Sequence, residues 1–148
     1  MDEIVEKMKV LLASTFAGYL KAHAYHWNVI GSDFPQLHDF FATVYEDYYG
    51  AVDPLAEHIR QLDAFAPQTL TRMKELSVVT EDEKVLSAEK MVASLKITND
   101  TLMKEAIACY ELAESKKLFG LSNYLQDRIT AHSKLNWMLG AIILKKST

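Results

Sequence analysis

The chain of 148 residues lacks the sequence features of disulfide-rich, membrane-spanning and disordered proteins. Its single cysteine, Cys109, excludes a disulfide-stapled secreted scaffold and is expected to be a reduced core thiol. Its longest apolar run, Met138 to Leu144 with Gly140 counted, is far shorter than the roughly 20 residues of a membrane span. Five glycines and three prolines leave few places to turn. Because 49% of the residues are hydrophobic, we expect an ordered chain that forms one domain over residues 1–148.

Charge and motifs exclude several common functions. The chain has 16 Lys and Arg against 20 Asp and Glu, a formal charge of −4, whereas nucleic-acid binders usually carry a basic patch. It contains no G-x-G-x-x-G, G-x-x-x-x-G-K-[ST], H-E-x-x-H or G-x-S-x-G motif, so nucleotide-binding, zinc-protease and hydrolase functions are not indicated. Because Met1-Asp2-Glu3 is acidic and no small-residue cleavage site follows, we expect no secretory signal and a cytoplasmic protein.

Apolar residues recur every three or four positions along most of the chain, a period typical of helices with one buried side. This pattern predicts a nearly all-α domain with four long helices. Gly31 and Gly120 are expected to end the first and third helices, and Pro35 suits the first turn of the second. The predicted helices run from about Asp2 to Val29, from a Ser32 or Asp33 cap to about Phe65, from about Ser87 to Leu118, and from about Ser122 to Lys145.

The first two helices carry features that bear on packing. In the first, one apolar stripe is expected to face inward: Ile4, Met8, Leu11, Leu12, Phe16, Tyr19, Leu20, His23 and Trp27. In the second, Pro54 lies deep inside the apolar pattern, where it removes one backbone hydrogen bond. Because the pattern continues beyond Pro54 and Gly50 precedes it by one turn, we predict a kink near residues 50–54 rather than a helix end.

A polar stretch between Ala66 and Ser87 forms the long connection between the second and third helices. It is expected to hold one short helix from Leu70 to Leu76, and Thr80-Glu81-Asp82-Glu83 fits the capping-box pattern of a helix start. Two helix pairs with tight internal turns, joined by a long crossover, are typical of ferritin-like folds. The sequence therefore predicts an all-α, ferritin-like four-helix bundle with a short helix in the connection between helices two and three.

The metal-ligating residues have an unusual distribution for such a bundle. The usual di-iron centre within one chain needs Glu-x-x-His on two helices, and this chain contains no Glu-x-x-His. Instead, His26 and His38 flank the first tight turn, while Asp53 and Glu57 lie four residues apart on one face of the second helix. Imidazole and carboxylate groups are ligands for iron and also for zinc.

These ligands cannot meet within one chain. His38 and Asp53 are fifteen residues apart on one helix, which corresponds to about 22 Å at 1.5 Å per residue. If two subunits cross antiparallel about a two-fold axis, the histidine end of each meets the carboxylate end of the other. We therefore predict a homodimer with two equivalent metal sites, each formed by His26 and His38 of one subunit and by Asp53 and Glu57 of its partner.

The same residues resemble the signature of the Dps family of ferritin-like mini-ferritins. The matching segments are His26-Trp27-Asn28-Val29, Gly31, Phe34, His38, Asp53, Ala56-Glu57-His58-Ile59, His132-Ser133-Lys134 and Trp137-Met138-Leu139. The resemblance implies a hollow homododecamer with a ferroxidase centre at each dimer interface. There Fe(II) would be oxidised to Fe(III), usually by hydrogen peroxide, with oxygen as the other candidate oxidant. The ferric mineral would be stored inside the shell, which protects against oxidative damage.

The resemblance also implies roles for individual residues. His26, His38, Asp53 and Glu57 become the iron ligands, with one or two ions per intersubunit site and Glu57 as the bridge between ions. Trp27, which adjoins the site, is implied to intercept oxidising equivalents, although packing at the interface is an equally good interpretation. Because zinc accepts the same ligands, it is expected to be able to substitute for iron.

Two positions depart from the family pattern. The family usually has an Asp one turn after the second histidine, where this chain has Ala42, so the second iron is expected to bind more weakly. Glu46 or Asp39 could compensate. Asn123 stands where the family tends to use an Asp near its three-fold ion pore, so iron entry by that route is not predicted.

Two other functions remain open from the sequence. A DNA-binding, nucleoid-associated shell with a degenerate metal site is one, although Lys145 and Lys146 are the only basic residues near the carboxy terminus and no Lys-rich amino-terminal tail is present. A shell that binds zinc without redox chemistry is the other. The remaining candidates are expected to be structural or packing residues: His23, which could also support His26, His58, His132, Tyr45, Tyr48 and Tyr49.

Overall fold

The computed structural model describes residues 2–144, which form five α-helices. These are α1 (Asp2–Asn28), α2 (Phe34–Gln61), α3 (Leu70–Leu76), α4 (Ala88–Ser115) and α5 (Phe119–Leu144). The helices α1 and α2 form one antiparallel pair and α4 and α5 form another, while α1 also packs along α4 and α3 packs on α1. The predicted all-α, ferritin-like bundle with a short helix in the long connection is confirmed.

The turn between α1 and α2 places the two predicted histidines near each other. Gly31 has a φ of 118°, a conformation in which a side chain would be strained, so the glycine is required where the chain reverses. Asp33 is the N-cap residue of α2, although its side chain accepts no capping hydrogen bond, and Pro35 lies in the first turn as predicted.

The second helix runs without interruption through Pro54, which confirms that the proline does not end it. The bend near that residue stays a prediction. The helix ends at Gln61, four residues before the expected Phe65, because Asp63 takes a left-handed φ of 63°. The predicted end of the fourth helix at Lys145 lies outside the described residues.

The prediction that Gly120 stops the helix now labelled α4 is wrong. Helix α5 already begins at Phe119, before the expected start at Ser122, so Gly120 lies inside its first turn. The chain turns instead at Lys117, whose φ is 59°, and the Leu118 N–H donates to the Ala113 carbonyl at 2.9 Å. This is a Schellman termination, which needs one left-handed residue but does not require that residue to be glycine.

The capping-box interpretation of residues 80–83 is also wrong. No helix begins there, and Asp82 instead accepts a hydrogen bond from the Tyr25 hydroxyl on α1. The backbone N–H of Val78 donates to Ser14 Oγ at 3.1 Å. These bonds hold the irregular part of the connection against α1, so the polar residues serve tertiary contacts rather than a helix start.

Two hydrophobic clusters fill the bundle. The cluster nearer the α1–α2 turn contains Ala22, Tyr25, Val29, Leu37, Phe41, Val44, Tyr48, Met91, Val92, Leu95, Leu102, Leu135 and Leu139. The other contains Ile4, Met8, Leu11, Leu12, Ala51, Leu55, Ile59, Ala106, Cys109, Ala113, Leu121 and Leu125. Burial raises the pKa of the Cys109 thiol to about 12, as expected for an unreactive core residue. None of the helices in residues 2–144 is long and apolar enough to cross a membrane.

The inner stripe predicted for α1 is wrong at two positions. Leu20 is 49% exposed and Trp27 is 58% exposed, while Phe16, Tyr19 and His23 are half-buried. Both side chains lie on the surface of the chain, because apolar spacing does not distinguish residues that face the core of one chain from residues available to another.

A buried polar network lies between α2, α4 and α5 in the middle of the bundle. The Tyr48 hydroxyl donates to Asn99 Oδ1 at 2.7 Å, and the same oxygen accepts from His132 Nδ1 at 2.8 Å. Arg128 Nη2 lies 3.3 Å from His132 Nε2 and pairs with the Asp47 carboxylate at 2.8 Å. Both ring nitrogens of His132 are therefore partnered, which confirms its structural role.

Candidate metal centre

His26 at the end of α1 and His38 in the second turn of α2 are brought into direct contact. Their rings stack with centroids 3.7 Å apart and an angle of 17° between planes. His26 Nδ1 lies 2.7 Å from the His38 carbonyl oxygen, and His38 Nδ1 lies 2.7 Å from the His26 carbonyl oxygen. Each histidine thus holds the ring of the other through a backbone contact.

The reciprocal contacts fix the protonation pattern of both rings. A carbonyl oxygen can only accept a hydrogen bond, so Nδ1 of each histidine must carry the proton. In the neutral ring this leaves the lone pair on Nε2, which is the nitrogen available to a metal ion. A bond from Nδ1–H to a backbone carbonyl is the usual way in which proteins orient a metal-binding histidine.

The histidine pair also supplies a hydrogen-bond donor to the end of α1. The His26 carbonyl is among the last four of α1, which have no intrahelical N–H partner, and the bond from His38 satisfies it. Phe34, one turn before His38, packs against that ring with centroids 5.0 Å apart. The pair is half-buried, so its rings are held in place without being cut off from solvent.

A chain of ring contacts leads away from His26 and forms what we call the aromatic cluster: Tyr19, His23, His26, Trp27, Tyr45 and Tyr49. His23 stacks on Tyr45 with centroids 3.8 Å apart, and Tyr45 presents an edge to His26 at 5.3 Å. The Tyr19 hydroxyl lies 2.9 Å from His23 Nδ1. Sequence reasoning missed Tyr19, although its spacing of four residues from His23 places both on one helix face.

The carboxylates stand apart from the histidines. Asp53 and Glu57 are exposed on α2, and the helix rise puts Asp53 about 22 Å from His38. Within residues 2–144 the structure holds no cluster of three or more His, Cys, Asp or Glu side chains able to bind a metal. Within one chain, therefore, His26 and His38 lie together while the two carboxylates lie far from them.

The departures from the family pattern can also be located. Ala42 is half-buried one turn after His38, so no carboxylate stands there, while Asp39 and Glu46 are exposed on the same helix. Asn123 is exposed in the second turn of α5. No compensating ligand beside the histidine pair is formed within residues 2–144.

Large apolar side chains are exposed around the aromatic cluster and the connection. They are Leu20 (49%), Trp27 (58%), Tyr49 (62%), Phe65 (80%) and Leu70 (77%). Leu20 and Leu70 line one groove between α1 and α3, and Tyr49 packs on Tyr19 with ring centroids 4.9 Å apart. Exposed apolar surface is typical of interfaces with other proteins.

The comparisons with known proteins agree with this architecture. The Ferritin family, described as a ferritin-like domain, matches residues 5–147. The DNA protection during starvation protein of Helicobacter pylori strain J99 is 32% identical over 138 residues, which cover 92% of this chain and 95% of that protein. This chain belongs to the Dps family.

Solved Dps structures match over nearly the whole chain. Dps from Staphylococcus aureus superimposes with a TM-score of 0.92 at 29% identity and covers 97% of this chain and 96% of its own. Dps from Vibrio cholerae O1 also has a TM-score of 0.92, at 27% identity, with coverages of 96% and 89%. The Vibrio protein is described as a member of a broad superfamily of ferritin-like diiron-carboxylate proteins.

Proposed function

We propose that this Dps-family chain is a ferroxidase and iron-storage protein whose metal site forms between two subunits. The observation that carries the proposal is the reciprocal pairing of His26 and His38, which leaves Nε2 of each neutral ring free while Nδ1 is held by a carbonyl. The relationship to the Vibrio Dps, a ferritin-like diiron-carboxylate protein, supports iron as the metal.

The partner subunit supplies what the single chain lacks. Two copies of α2 that cross antiparallel place Asp53 and Glu57 of one subunit beside His26 and His38 of the other. The exposed apolar residues around the aromatic cluster support burial of this surface in the dimer. Six such dimers would close the twelve-subunit shell of the family, with the ferric mineral inside.

The donor set suits the oxidation of Fe(II). Two neutral imidazoles bind Fe(II) with borderline nitrogen ligands, and two carboxylates stabilise the additional positive charge of Fe(III). Glu57 would be the bridge between two ions. Electrons from Fe(II) reduce hydrogen peroxide, or oxygen, to water, and Trp27 is available to intercept oxidising equivalents. Because Ala42 supplies no oxygen ligand, the second iron binds more weakly than the first.

The proposal is tested by native mass and by Fe(II) oxidation with hydrogen peroxide in wild type, His38→Ala and His58→Ala. His58 is the matched control, since it lies on the same helix and packs on Tyr124 rather than on His26. We expect a mass of twelve subunits or of a dimer, and loss of oxidation by on the order of a hundredfold in His38→Ala alone. Full oxidation by His38→Ala would contradict the proposed site.

Zinc binding without redox chemistry is distinguished in the same assay. Zinc accepts the same four ligands, so it is expected to compete with Fe(II) and slow its oxidation. Zinc that binds at the site, in a protein that oxidises no Fe(II) in air or with peroxide, would instead identify a non-redox metal-binding shell.

A second candidate function, DNA binding, is motivated by the name of the Helicobacter relative, the DNA protection during starvation protein. The formal charge of −4 argues against it, and Lys145 and Lys146 lie outside the described residues. We expect no gel shift of duplex DNA at physiological salt. Retardation of DNA by a protein that oxidises no Fe(II) would favour a nucleoid-associated shell with a degenerate metal site.

A further inference from the structure

A stripe of polar side chains lies on the face of α4 that packs toward α1. Lys90, Ser94, Thr98 and Thr101 follow one another at helical spacing, which places them on one side of the helix. Lys21 of α1 reaches this stripe, where its ammonium group donates to Ser94 Oγ and to Thr98 Oγ1, each at 3.1 Å. A cation and a row of hydroxyl groups therefore meet between the two helices.

These five side chains line a cavity of about 320 Å³, which we call the Lys21 cavity. Thr80 and Asp82 of the long connection border it on the other side. Its lining carries two ammonium groups, four hydroxyl groups and one carboxylate, that of Asp82. Because the ammonium and hydroxyl groups are hydrogen-bond donors, this composition favours an anionic ligand.

The Lys21 ammonium group has no countercharge in contact with it. The side chain is half-buried, and it forms no ion pair within residues 2–144. Burial lowers the pKa of Lys21, and the charges of Asp82 and Glu81 offset this effect only in part. Ser94 and Thr98 accept two of its N–H groups, but neutral hydroxyls do not balance a charge. An anion bound in the cavity would do so.

Hydrogen-bond donors remain available for such an anion. An ammonium group has three N–H donors, and Lys21 uses two of them. Thr98 is only 3% exposed, and its hydroxyl accepts from Lys21 while its own O–H has no acceptor in the part of the chain that the structure describes. The ammonium group of Lys90, which is exposed, has no partner among residues 2–144 either. Three different side chains therefore offer donors to the cavity.

We propose that the Lys21 cavity binds a phosphate group, either as free phosphate or as the phosphate of a small organic ester. Donors on three side chains match an anion with at least three oxygens, which phosphate has and a carboxylate lacks. The Asp82 carboxylate opposes an anion, but it already accepts from the Tyr25 hydroxyl, and two ammonium groups outnumber it. Val79 and Ile97 add apolar wall that an organic group could cover.

Binding in this cavity goes beyond the proposed oxidation of Fe(II) and does not depend on it, since none of the four proposed iron ligands lines the cavity. The test therefore uses iron-free protein at low ionic strength. Inorganic phosphate and glycerol 3-phosphate are titrated separately by calorimetry, with chloride as the reference anion. Because the cavity is open to water, we expect a Kd on the order of 1 mM for phosphate.

Two substitutions remove donors from the cavity in different ways. Lys21→Met removes the half-buried charge, and Thr98→Val keeps the shape of a buried side chain while removing its hydroxyl. Each should weaken phosphate binding by about tenfold. Lys134→Met makes the same charge change at an exposed position on α5 outside the cavity, and it should leave the affinity within about twofold of wild type. Thr98→Val keeps the test decisive if Lys21→Met does not fold.

Acetylation of lysines by acetic anhydride, followed by mass spectrometry, locates the bound phosphate. Phosphate should slow the acetylation of Lys21 and Lys90 and leave that of Lys134 unchanged. Tighter binding of glycerol 3-phosphate than of phosphate would support an organic ester as the ligand, and equal binding would support free phosphate. Absence of binding, equal affinity in wild type and Thr98→Val, or unprotected Lys21 would each overturn the proposed site, whether or not the protein oxidises Fe(II).

Discussion

His132 and the pair formed by His26 and His38 occupy contrasting regions of the same bundle. Both ring nitrogens of His132 are partnered, by Asn99 and by Arg128, and the side chain is fully buried. In His26 and His38 only Nδ1 is held, and both rings are half-buried. His132 therefore has both nitrogens engaged in the core, whereas His26 and His38 each keep one nitrogen free, as the proposed metal site requires.

The buried region is expected to dominate stability. Asn99→Leu removes the acceptor for Tyr48 and His132 and leaves two buried donors without partners. We expect the free energy of unfolding to fall by about 3 kcal/mol, measured by denaturant at a fixed protein concentration. Asn123→Leu, at an exposed position, is the control and should change it by less than about 0.5 kcal/mol. If both substitutions lowered the free energy of unfolding equally, the buried network would contribute no more to stability than an exposed position.

The pH dependence of stability should also come from the buried region. Burial, assisted by the charge of Arg128, lowers the pKa of His132 to about 3 from an ordinary value of 6.5. Between these pH values His132 is protonated in the unfolded chain and neutral in the folded chain. The free energy of unfolding is therefore highest above pH 6.5 and falls as the pH is lowered. His132 should account for about 2 kcal/mol of the loss between pH 7 and pH 5.

The measurement is denaturant unfolding of wild type and His132→Gln at both pH values. The variant is expected to be less stable at pH 7 but to lose less stability on acidification, because it has no imidazole to protonate. The same loss in both proteins would show that other groups control the response to acid.

Substitution in the histidine pair should change stability only slightly and Fe(II) affinity strongly, unlike substitution in the buried network. His38→Gln removes the bond to the His26 carbonyl at a helix end that water can reach, so unfolding should become easier by only about 1 kcal/mol. Fe(II) affinity, measured by calorimetry under anaerobic conditions, should nevertheless fall by about tenfold or more. A large loss of stability with unchanged Fe(II) binding would make this pair structural, like His132.

The smallest expected effect concerns the number of iron ions bound at the proposed site. Ala42→Asp adds a carboxylate one turn after His38 and should strengthen binding of the second iron by about tenfold, read as an increased number of ions per site. Ala93→Asp, at an exposed position on α4, is the control. If Ala42→Asp leaves the iron count unchanged, Ala42 is not at the metal site.

The long helices could be predicted because a 3.6-residue apolar period reflects burial directly. The end of α4 could not, because Lys117 adopts a left-handed conformation that its residue type does not signal. Leu20 and Trp27 were misplaced for a different reason. Their apolar spacing is correct, but a pattern does not distinguish a core inside one chain from a surface available to another.

For the candidate site, sequence spacing was enough to place His26 and His38 on either side of one turn and to separate them from Asp53. The reciprocal bonds between ring nitrogens and backbone carbonyls could not be foreseen, because they depend on the precise approach of two helix ends. The contact between Tyr19 and His23 was in reach, since a spacing of four residues on a helix makes neighbours.

The most direct test of the central claim is complementation between two inactive variants. One carries His26→Ala and His38→Ala, and the other carries Asp53→Asn and Glu57→Gln. Each alone should oxidise Fe(II) at a small fraction of the wild-type rate. When the two are co-expressed and the mixed oligomer is isolated through different affinity tags, each mixed dimer within it regains one of its two sites. If subunits pair at random, about half of the dimers are mixed, so the rate should return to about a quarter of wild type. Mixed oligomers that stay inactive would contradict a site shared between subunits.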